Sequence, residues 1–138
     1  MGSGCRAEVG ACVLKARNLR ESFRYAGIGV VQALKSERNV RIHWIAAITM
    51  GVVSVLFKLS AEEVAIMALA AAMVITAEMV NTAIEHCVDL VTKEYDSLAA
   101  EAKNVAAGAV LVSAVGAAIV GVLILGPKVL STIASRLM

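Results

Sequence analysis

From Val105 to Leu125 the chain runs without one charged side chain. A helix needs about 20 residues to cross roughly 30 Å of hydrocarbon at 1.5 Å per residue, and this run supplies them. Backbone groups in lipid have no water to bond, so a segment of this kind is confined to a self-satisfied helix. The rest of the chain agrees. Of its 138 residues, 59% are hydrophobic and 17% charged, with mean hydropathy +0.80. A soluble domain carries about 25% charged residues. Aromatics are only 4%, so the apolar content is Ala, Val, Ile, Leu and Met, suited to close helix packing in lipid.

The net charge of +2 conceals an asymmetry. Residues 1–43 hold eight basic side chains against three acidic ones, and the remainder is net negative. A basic segment ahead of the first span places it on the cytoplasmic side. A nucleic-acid arm is excluded by the lipid-like chain that follows. Cys5, Cys12 and Cys87 are odd in number and match no zinc spacing. Residues 1–20 lack the apolar core and cleavage site of a secretory signal.

The pattern predicts an all-α membrane protein forming a single domain over 1–138. Residues from about 13 to 35 form an amphipathic surface helix, with Leu14, Leu19, Phe23, Val30 and Leu34 on one stripe. Three spans follow, at about 42–57, 64–85 and 105–125. Trp44 anchors the first at an interface. Ser60 with Glu63 has the capping-box pattern, so the second helix starts there. Gly126-Pro127 is expected to end the third, since Pro removes a helix hydrogen bond. The resulting topology leaves ten basic residues inside and three outside (Lys58, Lys128, Arg136). Three spans barely enclose a polar site, so an oligomer is expected.

Within the second span stands Glu78. An ionisable group there costs roughly 2.5–3.5 kcal/mol on insertion scales, so it needs a partner, a wet cavity or a task. At about 100° per residue, Asn81, Glu85 and Asp89 fall on the same face, all toward the inner boundary. Glu37, Arg38, Asn39 and Arg41 begin the first span, and Lys103 and Asn104 begin the third, at the same depth. Taken singly, Glu37, Glu85 and Asp89 read as interfacial charges and His86 as structural. Together, carboxylates with an amide offer oxygen ligands for a divalent cation, and magnesium takes one or two carboxylates plus phosphates. Lysine and arginines nearby suit phosphate. Gly121 to Lys128 imitates a phosphate-binding loop but has Pro127 where that loop requires Lys.

The stretch Ala77-Glu-Met-Val-Asn-Thr-Ala-Ile-Glu-His-Cys-Val-Asp89 resembles the signature of the prokaryotic diacylglycerol kinase family. The resemblance continues through Glu94-Tyr95, Ala102 to Leu111 and Ala33 to His43, covering about residues 20–125. Glu37-Arg-Asn-Val-Arg-Ile-His43 and the Ala-Ala-Gly-Ala-Val-Leu run ending at Leu111 look more like the undecaprenol kinase branch. The resemblance implies a homotrimer in the bacterial inner membrane, with its active site on the cytoplasmic side. It implies Glu78 as the general base at the lipid hydroxyl, and Glu37 and Glu85 as ligands of Mg2+. Tyr25, Asn81, Glu94, Asp96, Lys103 and Asn104 would meet ATP together with those two acids. Asn39 and Arg41 would face the lipid's entrance. Asn104 stands where the family has Asp, and Asn18 where the diacylglycerol branch tends to have Arg.

The expected activity is therefore transfer of the ATP γ-phosphoryl group to a membrane lipid alcohol, undecaprenol ahead of diacylglycerol. A small multispan transporter would want its charge nearer mid-membrane. A non-catalytic assembly subunit would leave the acids without a task.

Overall fold

The structure, a computed structural model, describes residues 18–137. It consists of four helices in the order α1 Leu19–Ser36, α2 Arg38–Leu56, α3 Ala61–Val91 and α4 Ser97–Leu137. The last three are long and apolar enough to cross a membrane. α3 touches each of the other helices, while α1 packs on α2 and α3. α2 and α4 both pack on α3, and Met50 of α2 reaches toward α4, its Cε lying 3.8 Å from where a Cβ on Gly121 would stand.

Local chemistry sets each boundary. Asn18 caps α1, its Oδ1 accepting from the Glu21 N–H at 2.9 Å. That gives the residue at this departure from the diacylglycerol branch a physical task. Positions 13–17 of the expected surface helix, Leu14 included, lie outside the described residues. Ala33 is buried and Val30 and Leu34 half-buried, so the second half of α1 is the half that packs. Leu19 and Phe23 stay exposed. Glu37 is extended and separates α1 from α2, so the first span does not run back unbroken through Lys35. Val40, just inside α2, is fully buried and anchors this corner.

The α2–α3 turn is a Schellman motif. The Leu59 N–H donates to Ser54 O at 3.0 Å and the Lys58 N–H to Val55 O at 3.2 Å. Lys58 occupies the left-handed position, φ 51°, where glycine is usual. Ser60 then opens α3 with a full capping box: its Oγ accepts from the Glu63 N–H at 3.2 Å, and Glu63 Oε2 accepts from the Ser60 N–H at 2.7 Å.

α4 corrects the expectation at Pro127. The helix continues through the proline to Leu137, 41 residues or about 60 Å. Pro is tolerated in spanning helices where neighbours hold the segment. Here Lys128 Nζ pairs with Glu63 Oε2 at 3.0 Å, tying the turn after the proline to the first turn of α3.

Few side chains are buried in one chain: Ala33, Val40, Met67, Val74 and Ala106 are the apolar ones. Ile45, Ile48, Leu69, Val112 and Leu123 point outward, as helices solvated by hydrocarbon require. Hydroxyls on the spans satisfy themselves. Thr49 Oγ1 donates to Ile45 O at 2.8 Å and Ser54 Oγ to Met50 O at 2.7 Å.

Replacing Lys58 by Gly removes the left-handed penalty and is expected to stabilise the protein by about 0.5–1 kcal/mol. Ser60→Ala is expected to cost about 1 kcal/mol through the lost cap. Unfolding midpoints in detergent check both, and a lower midpoint for Lys58→Gly contradicts the first.

Candidate active site

The second half of α3 carries three of the four buried polar side chains among the described residues; the fourth, Ser54, lies on α2. Glu78 is 4% exposed, and Asn81 and Thr82 are each 8% exposed. Among the described residues the Glu78 carboxylate makes no hydrogen bond or ion pair. Thr82 Oγ1 turns back to Glu78 O at 3.0 Å, which satisfies the hydroxyl locally.

Asn81 and Glu85 are one helical turn apart and meet directly. Asn81 Nδ2 donates to Glu85 Oε1 at 2.8 Å. This contact orients the half-buried carboxylate and leaves its second oxygen available. It also turns Asn81 Oδ1 the other way, where it is buried without a donor. A buried amide oxygen in that state favours an incoming donor, because an unmet acceptor costs about 1–3 kcal/mol.

Asp89 closes the face. Lys103 Nζ, on the second turn of α4, donates to Asp89 Oδ1 at 2.6 Å. The five residues 92–96 turn the chain so that these positions meet, although they are 14 apart in sequence. Thr92 caps α3, and its Oγ1 accepts from the Glu94 N–H at 3.2 Å. Asp96 caps α4, with Oδ1 accepting from the Ala99 N–H at 2.9 Å. Glu94, Asp96 and Asn104 are exposed around this turn.

Tyr25 is half-buried on α1, with the Arg24 guanidinium 5.5 Å from its ring centre, within cation–π range. Glu37 is half-buried at the α1–α2 break, and Asn39 and Arg41 are exposed in the first turn of α2. Among the described residues no hydrogen bond or ion pair joins Glu37, Asn39 or Arg41 to the α3 acids. The structure thus brings together Asn81 with Glu85 and Lys103 with Asp89, and leaves the α2 group and Tyr25 as separate neighbours. The Asp89 pairing is the contact that sequence reading did not find. Its signal was present in the shared face with Glu78 and Glu85.

An acidic helix face, a lysine set against it and an acid without a partner inside an apolar span suit phosphoryl transfer at a membrane surface. The family model for prokaryotic diacylglycerol kinase matches residues 24–125. The chain belongs to the prokaryotic diacylglycerol kinase family. It is an integral membrane lipid kinase of that family. A diacylglycerol kinase of Synechocystis sp. is 45% identical over 117 residues, which is 84% of this chain and 67% of that protein. An undecaprenol kinase of Bacillus subtilis is 43% identical over 108 residues, 78% of this chain and 88% of that protein. The matched span contains every residue of the acidic face and Lys103. Kinase membership brings ATP-dependent phosphoryl transfer with it.

Asn81 and Glu85 are expected to act as a unit. Asn81→Ala and Glu85→Gln should each lower turnover, and the double variant should fall short of the summed loss in free energy. Strictly additive losses in label transfer from ATP would contradict the pairing.

Proposed function

We propose that this kinase phosphorylates undecaprenol, with Glu78 as general base. The observation that carries the reading is Glu78, a residue 4% exposed whose carboxylate has no hydrogen-bond partner among the described residues, set in an apolar helix beside an oriented acid. A lipid alcohol reaches such a group from within the bilayer, while ATP stays in water. Glu78 takes the hydroxyl proton as the lipid oxygen attacks the γ-phosphorus, and ADP leaves with the electron pair of the broken P–O bond.

Glu85 and Glu37 are the candidates to hold Mg2+. Their hard oxygens and the free Oε2 of Glu85 fit an ion that completes its shell with phosphates. Magnesium held there would supply positive charge to offset that of the phosphates. Asn81 keeps Glu85 aimed and offers Oδ1 to the nucleotide complex. Lys103 contacts phosphate. Tyr25, Glu94, Asp96 and Asn104 surround the nucleotide, Asp96 through the carboxylate oxygen that its cap leaves free. Asn39 and Arg41 line the lipid's entrance.

The enzyme works as a homotrimer in the bacterial inner membrane, with α1 an amphipathic helix on the cytoplasmic surface. The bias of basic residues supports that orientation. A single chain leaves a groove of about 850 Å3 between α2 and α4, walled by small residues such as Ala46, Ala47, Ala117 and Gly121. Such walls let neighbouring helices approach closely. The Glu37-Arg-Asn-Val-Arg-Ile-His43 stretch and the 88% coverage of the Bacillus undecaprenol kinase favour undecaprenol. The 45% identity to a protein named diacylglycerol kinase favours the second reading, in which the product is phosphatidic acid.

Purified protein in lipid vesicles is expected to move label from ATP to undecaprenol in a magnesium-dependent reaction, and far less to diacylglycerol. The reverse preference establishes the second reading. Label in neither lipid sinks both.

A further inference from the structure

We propose that Asp89 is a positioning residue that holds the Lys103 ammonium on the acidic face of α3, in the place where it meets the phosphates of a nucleoside triphosphate. The inference rests on the reading of Lys103 as the phosphate contact and adds the residue that orients it.

Lysine is a point charge on a flexible four-carbon stem, and its head has no preferred direction of its own. Here the head has one. Lys103 Nζ lies 2.6 Å from Asp89 Oδ1, a short charge-assisted hydrogen bond between two helices. One of the three ammonium protons is used, and two remain for phosphate oxygens. The side chains are 36% and 60% exposed, so the pair opens to water, where a triphosphate arrives. Asp89 stands one turn beyond Glu85 on the face that also carries Glu78. Holding Lys103 at Asp89 keeps its charge on this face of α3.

The arrangement repeats a device seen one turn earlier. Asn81 fixes Glu85 through one hydrogen bond, and Asp89 fixes Lys103 through another. In both, a residue of α3 restrains a group of the reactive face, within α3 in the first pair and across to α4 in the second. Asp89 also lowers the net positive charge that a triphosphate meets. The two effects act in opposite directions on nucleotide affinity, so their balance is measurable. With two donors still free on the lysine, orientation outweighs the lost attraction.

The test uses the full chain in lipid vesicles and reads KM for ATP and kcat separately for Lys103→Ala, Asp89→Asn, Asp89→Glu and the Lys103→Ala/Asp89→Asn pair. Asp89→Asn is expected to raise KM for ATP about fivefold, the scale of an exposed ion pair, with kcat changed by less than about twofold. Asp89→Glu should recover most of the affinity, and the double variant should be no worse than Lys103→Ala alone. If Lys103→Ala raises KM while Asp89→Asn leaves it unchanged or lowers it, the positioning role is overturned and the phosphate reading of Lys103 stands. If Lys103→Ala itself leaves KM unchanged, both fall. Asp89→Ser gives the same comparison should the asparagine variant fail to fold.

Discussion

An acid set within an apolar helix, without a partner among the described residues, is the constraint around which this chain is arranged. Glu78 lies in α3, the helix that touches every other described helix. An ionisable group within a span costs roughly 2.5–3.5 kcal/mol on insertion scales. Few apolar residues are buried in one chain to offset that, so the cost falls on a lightly packed scaffold. The neighbours do not neutralise Glu78. Asn81 is committed to Glu85, Thr82 bonds its own backbone, and Lys103 is held by Asp89. Among the described residues none of these groups bonds the Glu78 carboxylate.

That arrangement explains the graded polarity of α3. Its first half presents apolar side chains and a capped start. Its second half goes from the buried Glu78, through the half-buried Glu85, to the exposed Asp89. The helix therefore joins an apolar region to an aqueous one along a single face. A kinase whose two substrates differ this much in solubility needs such a gradient, because the hydroxyl and the triphosphate have to meet without either leaving its solvent.

Much of this was legible in the sequence, for identifiable reasons. The spans were readable because bilayer thickness sets a length and apolar runs match it. The α3 start was readable from Ser60 and Glu63, since a capping box is local. Asn81 and Glu85 could be put on one face by helical arithmetic alone. What escaped depended on tertiary structure. Pro127 reads locally as a stop, because within one helix it removes a hydrogen bond. The continuation is held by Lys128 reaching Glu63, a residue far away in sequence. Lys103 with Asp89 required the path of residues 92–96, which no local pattern dictates. The break at Glu37 has neither Gly nor Pro to announce it.

The central claim is that Glu78 is kept for chemistry at a structural cost. One variant, Glu78→Gln, tests it through two readings: unfolding stability in detergent, and label transfer from ATP to a lipid alcohol in vesicles. Stability should stay the same or rise, because a neutral isostere removes the buried acid, while transfer falls by about a hundredfold or more with the base gone. Full transfer would contradict the base assignment. Loss of stability together with transfer would make Glu78 a structural residue and contradict the account.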